Sequence, residues 1–146
     1  MLEKTYGSAV YGVDATTITI EVSVVTGTNY FMVGLPDSAV KESWFRIESA
    51  FRYSGFEMPR KKIIINLAPA DIRKEGSAYD LPMAIGIMKA NEQFEDTIDV
   101  SKYIIMGELS LDGSIQPIKG ALPIAIQARK EGFKGFILPK ANAREA

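Results

Sequence analysis

Thr17-Ile18-Thr19-Ile20-Glu21-Val22-Ser23-Val24 alternates polar and apolar residues without a break. Successive side chains of a strand point to opposite faces, so Ile18, Ile20, Val22 and Val24 share one face and Thr17, Thr19, Glu21 and Ser23 the other. This predicts a half-buried strand of an antiparallel pair. Tyr6 to Val13 reads as the strand before it, across a turn at Asp14-Ala15-Thr16. Tyr30-Phe31-Met32-Val33 reads as the strand after it, beyond Gly27-Thr28-Asn29. The start of the chain is therefore expected to be a three-stranded meander.

The period then changes. Val40, Trp44, Ile47 and Phe51 follow i, i+4, i+7, i+11 spacing, the apolar stripe of a helix. Asp37 or Ser38 is its expected cap and Gly55 its C′ residue. Trp44 reads as a core anchor between helix and sheet in preference to a stacking platform for a base. Next comes Arg60-Lys61-Lys62, a basic run, leading into the apolar β-branched strand Ile63 to Asn66. A polar loop follows, Leu67-Ala68-Pro69-Ala70-Asp71-Ile72-Arg73-Lys74-Glu75-Gly76-Ser77-Ala78-Tyr79, and then a helix opened by Asp80 as N-cap, with Leu81, Ala84, Ile85 and Met88 as its stripe. Asn91 to Ser101 is polar and acidic, a surface loop. A strand at Lys102 to Met106, a hairpin turning at Asp112-Gly113, a helix over about Ala121 to Glu131 and a strand at Gly135 to Leu138 complete the chain. Three β-rich elements followed by strand–helix alternation predict one α+β domain over 1–146, with about three helices on a mixed sheet.

The 146 residues contain no histidine and no cysteine. That excludes a Ser-His-Asp triad, a thiolate nucleophile and a Cys/His zinc site within the chain. The dipeptide Gly-Lys is absent, so no Walker-type phosphate loop exists, and neither does a Gly-x-Gly-x-x-Gly fingerprint. No signal peptide is expected at the N-terminus, and no apolar run approaches the ~20 residues of a membrane span. No membrane contact is expected, and the absence of cysteine suits a reducing cytoplasm. One catalytic scheme survives, a Ser–Lys dyad, in which a lysine of lowered pKa deprotonates a serine. Its candidates are Ser77 and Ser114 with Lys74 and Lys119.

Several segments resemble one family: Val33-Gly34-Leu35-Pro36-Asp37 with Ala39-Val40-Lys41-Glu42-Ser43; Asn66 through Ser77; Asp80-Leu81-Pro82-Met83-Ala84-Ile85-Gly86-Ile87; and Gly107-Glu108-Leu109-Ser110-Leu111-Asp112-Gly113. In this order they are similar to the N-terminal domain of magnesium-chelatase-like AAA+ ATPases of the ComM/YifB family. The resemblance implies a fold like the proteolytic domain of Lon, in the ribosomal S5 domain 2-like group. It also implies a longer parent chain whose AAA+ module binds ATP and Mg2+, assembles as a hexamer and acts on DNA as a branch-migration helicase in natural transformation. The fragment itself is expected to hold no cofactor and no metal.

Lon's own dyad can be carried over position by position. Its serine falls at Ala78, with Ser77 one residue early. Its lysine falls at Leu122, with Lys119 three residues early. A methyl group and a leucine can do neither job, so the resemblance implies a non-catalytic domain. The alternative is a Ser–Lys peptidase using Ser77 and Lys119. The nucleic-acid candidates are Arg60, Lys61 and Lys62 at one end of the strand and Arg73 and Lys74 past the other. A strand of four or so residues spans only ~13 Å, close enough for both clusters to face one bound backbone.

Overall fold

The computed structural model describes residues 1–93 and 98–146. Eight strands and four α-helices run in the order β1 (Leu2–Tyr11), β2 (Asp14–Val25), β3 (Tyr30–Val33), α1 (Ser38–Lys41), α2 (Ser43–Ser54), β4 (Lys62–Ala68), α3 (Asp80–Ala90), β5 (Tyr103–Ile105), β6 (Glu108–Leu109), β7 (Ile115–Gln116), α4 (Ala121–Lys130) and β8 (Gly135–Ile137). Six strands form one mixed sheet in the order β3-β4-β2-β1-β5-β8, and β6-β7 form a separate small hairpin. This is an α+β fold with three full-length helices, α1 being a single turn. Of the predicted surface loop, residues 94–97 lie outside the described residues.

The polar–apolar alternation of residues 17–24 is realised in β2. Ile18, Ile20 and Val22 are fully buried and Val24 nearly so, while Thr17, Thr19, Glu21 and Ser23 are half-exposed. β1 pairs with β2 antiparallel along its whole length, Leu2 opposite Ser23 and Tyr11 opposite Asp14. The turn is therefore Gly12-Val13, two residues earlier than predicted.

The meander is corrected. β3 does not pair with β2; β4 inserts between them, antiparallel to β2 and parallel to β3. Parallel strands need a crossover, and α1 and α2 supply it. Local turn signals cannot reveal such an insertion, because the inserted strand comes some 30 residues later in the chain.

α3 and α4 cover opposite faces of the sheet. Gly86 of α3 lies against Val22 of β2, and a Cβ there would come within 2.7 Å of its methyl. Gly120, just before α4, lies against Val10 of β1. Val22 is opposite Glu3, an odd-numbered position of β1, whereas Val10 is even, so the two contacts fall on different faces. Packing in α3 also departs from the predicted stripe. Met83, Ala84, Gly86, Ile87 and Ala90 are buried, whereas Leu81, Ile85 and Met88 are only half-buried. The helix is sandwiched between the sheet, α2 and the hairpin, so more than one stripe is covered. The Val40, Trp44, Ile47, Phe51 stripe is buried, but the single predicted helix is broken at Glu42 into α1, which carries Val40, and α2, and Trp44 stacks on Tyr30 with ring centroids 4.1 Å apart.

Candidate functional site

The loop between β4 and α3 is laced to the turn between β3 and α1. Gly34 has φ +106° and passes so close to β4 that an added Cβ would sit 2.1 Å from the Leu67 carbonyl oxygen. Only glycine fits there. Leu35 follows with φ +57°. Its carbonyl accepts the Lys74 N–H at 3.0 Å, and the Lys74 carbonyl accepts the Asp37 N–H at 2.9 Å. Asp37 uses both carboxylate oxygens: Oδ1 accepts the Val40 N–H and caps α1 as predicted, and Oδ2 accepts the Gly76 N–H.

The Lys74 side chain closes the lacing from inside. It is fully buried, and its ammonium donates to the Gly34 carbonyl at 2.7 Å and to the Pro69 carbonyl. Burial pushes its pKa down, partly offset by Asp71. Lys74 is thus removed from the nucleic-acid candidates: its charge is spent on two backbone carbonyls and offers none to solvent. Sequence reasoning missed this because a lysine beside an arginine in a polar loop normally reads as solvated.

Asp80 is also corrected. The residue at the cap position of α3 is Tyr79, which makes no side-chain cap bond, and Asp80 is already helical. Its buried carboxylate is gripped by Arg46 of α2, Nε to Oδ2 at 2.6 Å and Nη2 to Oδ1 at 3.0 Å, and accepts the Leu109 N–H at 3.0 Å. The Asp80 hydrogen bond raises the Arg46 pKa. Arg46 also donates to the Ala39 carbonyl at 2.8 Å. One carboxylate therefore joins α2, α3 and the hairpin.

Ser77 donates its hydroxyl hydrogen to Glu108 Oε1 of β6. Lys119 is exposed, next to Gly120, in the turn before α4. No hydrogen bond joins Ser77 to Lys119 among the described residues. Ser114 bonds Asp112 Oδ1 within the hairpin turn. At the positions that the resemblance assigns to Lon's dyad, Ala78 packs against the core and Leu122 is half-exposed.

The other basic candidates divide. β4 is seven residues long, about 20 Å from end to end, so the four-residue span is corrected and the two clusters stand well apart. Arg73, at the far end, pairs with Glu75 at 3.2 Å, both side chains about two-thirds exposed. Lys62 lies with its ammonium 5.4 Å from the centre of the Phe31 ring. Arg60 and Lys61 are exposed and line an open cleft of about 1000 Å³. Arg52 and Phe56, which sequence reasoning did not select, line it too. The available signal was proximity in sequence: both flank the Gly55 stop, just before the basic run.

The structure is an α+β domain with a laced β4–α3 loop, and Ala78 and Leu122 stand where the resemblance places a Ser–Lys dyad. The profile of the family described as "Subunit ChlI of Mg-chelatase" matches residues 20–142. The chain is 46% identical over 138 residues to the uncharacterized protein YifB of Escherichia coli (strain K12), covering 94% of this chain and 27% of that one. It is 42% identical over 142 residues to the competence protein ComM of Haemophilus influenzae, covering 97% and 28%. A more distant likeness, 31% over 94 residues, links it to the archaeal Lon protease of Thermococcus kodakarensis, covering 64% and 14%. The chain belongs to the magnesium-chelatase-like family, and it spans just over a quarter of the length of the YifB and ComM proteins.

Two further observations bear on cofactors and membranes. No group of three or more carboxylates is placed to hold a metal ion among the described residues. The Walker Gly-Lys is absent from the sequence. The sequence therefore carries no Walker-type phosphate loop. No helix among the described residues is long and apolar enough to cross a membrane.

Proposed function

We propose that this chain is a non-catalytic accessory domain, N-terminal to the AAA+ module of a magnesium-chelatase-like ATPase, and that it contributes a DNA contact to that motor. ATP and Mg2+ belong to the module, which is expected to work as a cytoplasmic hexamer. The likeness to a competence protein supports a DNA-processing motor, and branch migration in natural transformation is the finer reading. The observation that carries the accessory role is the pair Ala78 and Leu122, which supply neither nucleophile nor base. The DNA contact rests on Arg60 and Lys61, exposed cations without an ion pair among the described residues.

The test removes residues 1–146 from the full-length protein. ATP hydrolysis should persist while stimulation by DNA falls severalfold. Unchanged stimulation by DNA would contradict the contact.

The likeness to Lon keeps a second reading in view, a peptidase using Ser77 and Lys119. Its measurement is casein hydrolysis by the full-length protein with ATP. Activity abolished by Ser77→Ala would establish the peptidase, and absent or Ser77-independent activity removes it.

A further inference from the structure

We propose that the cleft beside α2 binds single-stranded nucleic acid, an unstacked base entering against Phe56 while flanking phosphates lie on Arg52, Arg60 and Lys61. This rests on the nucleic-acid reading above and narrows it to one ligand class and one site.

The cleft lies where β3 and β4 begin and α2 ends. Its wall is aromatic and held in place. Tyr30 and Trp44 are stacked, with an interplanar angle of 8°. Phe51 meets Phe56 edge-on at 6.2 Å, and Phe56 keeps 38% of its surface exposed. The segment carrying Phe56 is fixed at both ends. The Phe56 N–H donates to the Phe51 carbonyl at 2.9 Å. Gln93 grips Glu57 from both sides, its Oε1 accepting the Glu57 N–H at 2.8 Å and its Nε2 donating to the Glu57 carbonyl at 2.7 Å. A fixed, half-exposed ring needs no ordering before a base stacks on it.

The charge pattern selects the ligand. Arg52, Arg60 and Lys61 are exposed on the rim, without ion pairs among the described residues. Glu48 and Glu57 also line the cleft. The balance of three cations and two carboxylates favours one phosphate backbone and opposes a second strand beside it. A duplex offers its bases already stacked and paired, so it gains the cations and loses the ring. Cation-rimmed grooves with aromatic platforms are how proteins hold single strands without strong sequence preference.

Trp44 is the single tryptophan of the chain and lines the cleft, so its fluorescence offers a probe at this site. The 146-residue chain is titrated with oligo-dT and with a duplex of equal length, reading Trp44 emission and the anisotropy of a labelled strand. Oligo-dT should perturb Trp44 and bind at least about tenfold more tightly than the duplex. Phe56→Leu, which keeps an apolar contact with Phe51 and loses the stacking face, should weaken oligo-dT by about tenfold and leave the duplex unchanged. Arg60→Gln with Lys61→Gln should weaken both. Equal affinity for both forms, with Phe56→Leu silent, would overturn the single-strand inference and leave a DNA contact standing. Absence of binding to either form, or displacement of oligo-dT by poly-glutamate as readily as by unlabelled oligo-dT, would overturn both. Thermal unfolding of each variant, or the Arg60/Lys61 pair alone if Phe56→Leu fails to fold, keeps the comparison decisive.

Discussion

Lys74 and Asp80 lie six residues apart and both are fully buried, yet their environments differ. Asp80 has a bidentate arginine and a backbone N–H. Lys74 donates to the Gly34 and Pro69 carbonyl oxygens and has no salt bridge among the described residues. Removing one member of a buried pair strands the other charge. Arg46→Met should therefore destabilise by about 3 kcal/mol in urea unfolding, toward the lower end of such losses because the Arg46 side chain keeps 20% exposure and is partly screened. A loss below about 1 kcal/mol would show that the pair is not the joint described.

Lys74 makes a prediction about pH. Its folded pKa lies below the ordinary 10.5. Between the two values the unfolded chain binds the proton that the folded chain has released, so this group's contribution to stability rises with pH. Tyr79 acts in the opposite sense. Burial raises its pKa, so its contribution is complete below about pH 10 and is lost as the unfolded chain ionises above that. Comparing the unchanged chain with Lys74→Met isolates the lysine. The stability difference should move in favour of the unchanged chain as pH climbs toward 10.5, and a flat difference would contradict a Lys74 whose pKa is lowered by burial.

At the scale of elements, the β3–α1 turn and the β4–α3 loop are two halves of one unit. Gly34→Ala should cost about 3 kcal/mol or more, or prevent folding, because neither the Leu67 carbonyl nor the positive φ accommodates a methyl. Near-normal stability by thermal unfolding would show that β3 can shift away from β4. Much of this level was legible in the sequence. The β2 alternation, the α2 stripe, the Asp37 cap and the Gly55 stop are short-range patterns set by strand and helix periods and by cap chemistry. The insertion of β4 between β2 and β3 was not legible, because register between distant strands leaves no local trace. Nor was the Arg46–Asp80 joint. Arg46 lies off the apolar stripe of α2 and reads as solvated, and its partner lies 34 residues away. The basic run was legible as charge, but its division was not. Lys62 lies over the Phe31 ring and Arg60 and Lys61 line the cleft, a division set by where β4 begins.

For the whole molecule, the sheet carries helices on both faces, and Arg52, Arg60 and Lys61 line a cleft with an aromatic wall where β3 and β4 begin. The loop between β4 and α3 is scaffold, since Lys74 within it and Asp80 at the start of α3 are both buried and both partnered internally. What this leaves for a partner is the cleft. The decisive measurement for the cleft is the salt dependence of oligo-dT affinity for the 146-residue chain, read by anisotropy between about 50 and 200 mM salt. Three phosphate contacts predict a slope of log K against log salt of roughly −2, reduced to about −0.7 in Arg60→Gln/Lys61→Gln. A slope near zero, or one that the double substitution leaves unchanged, would contradict them.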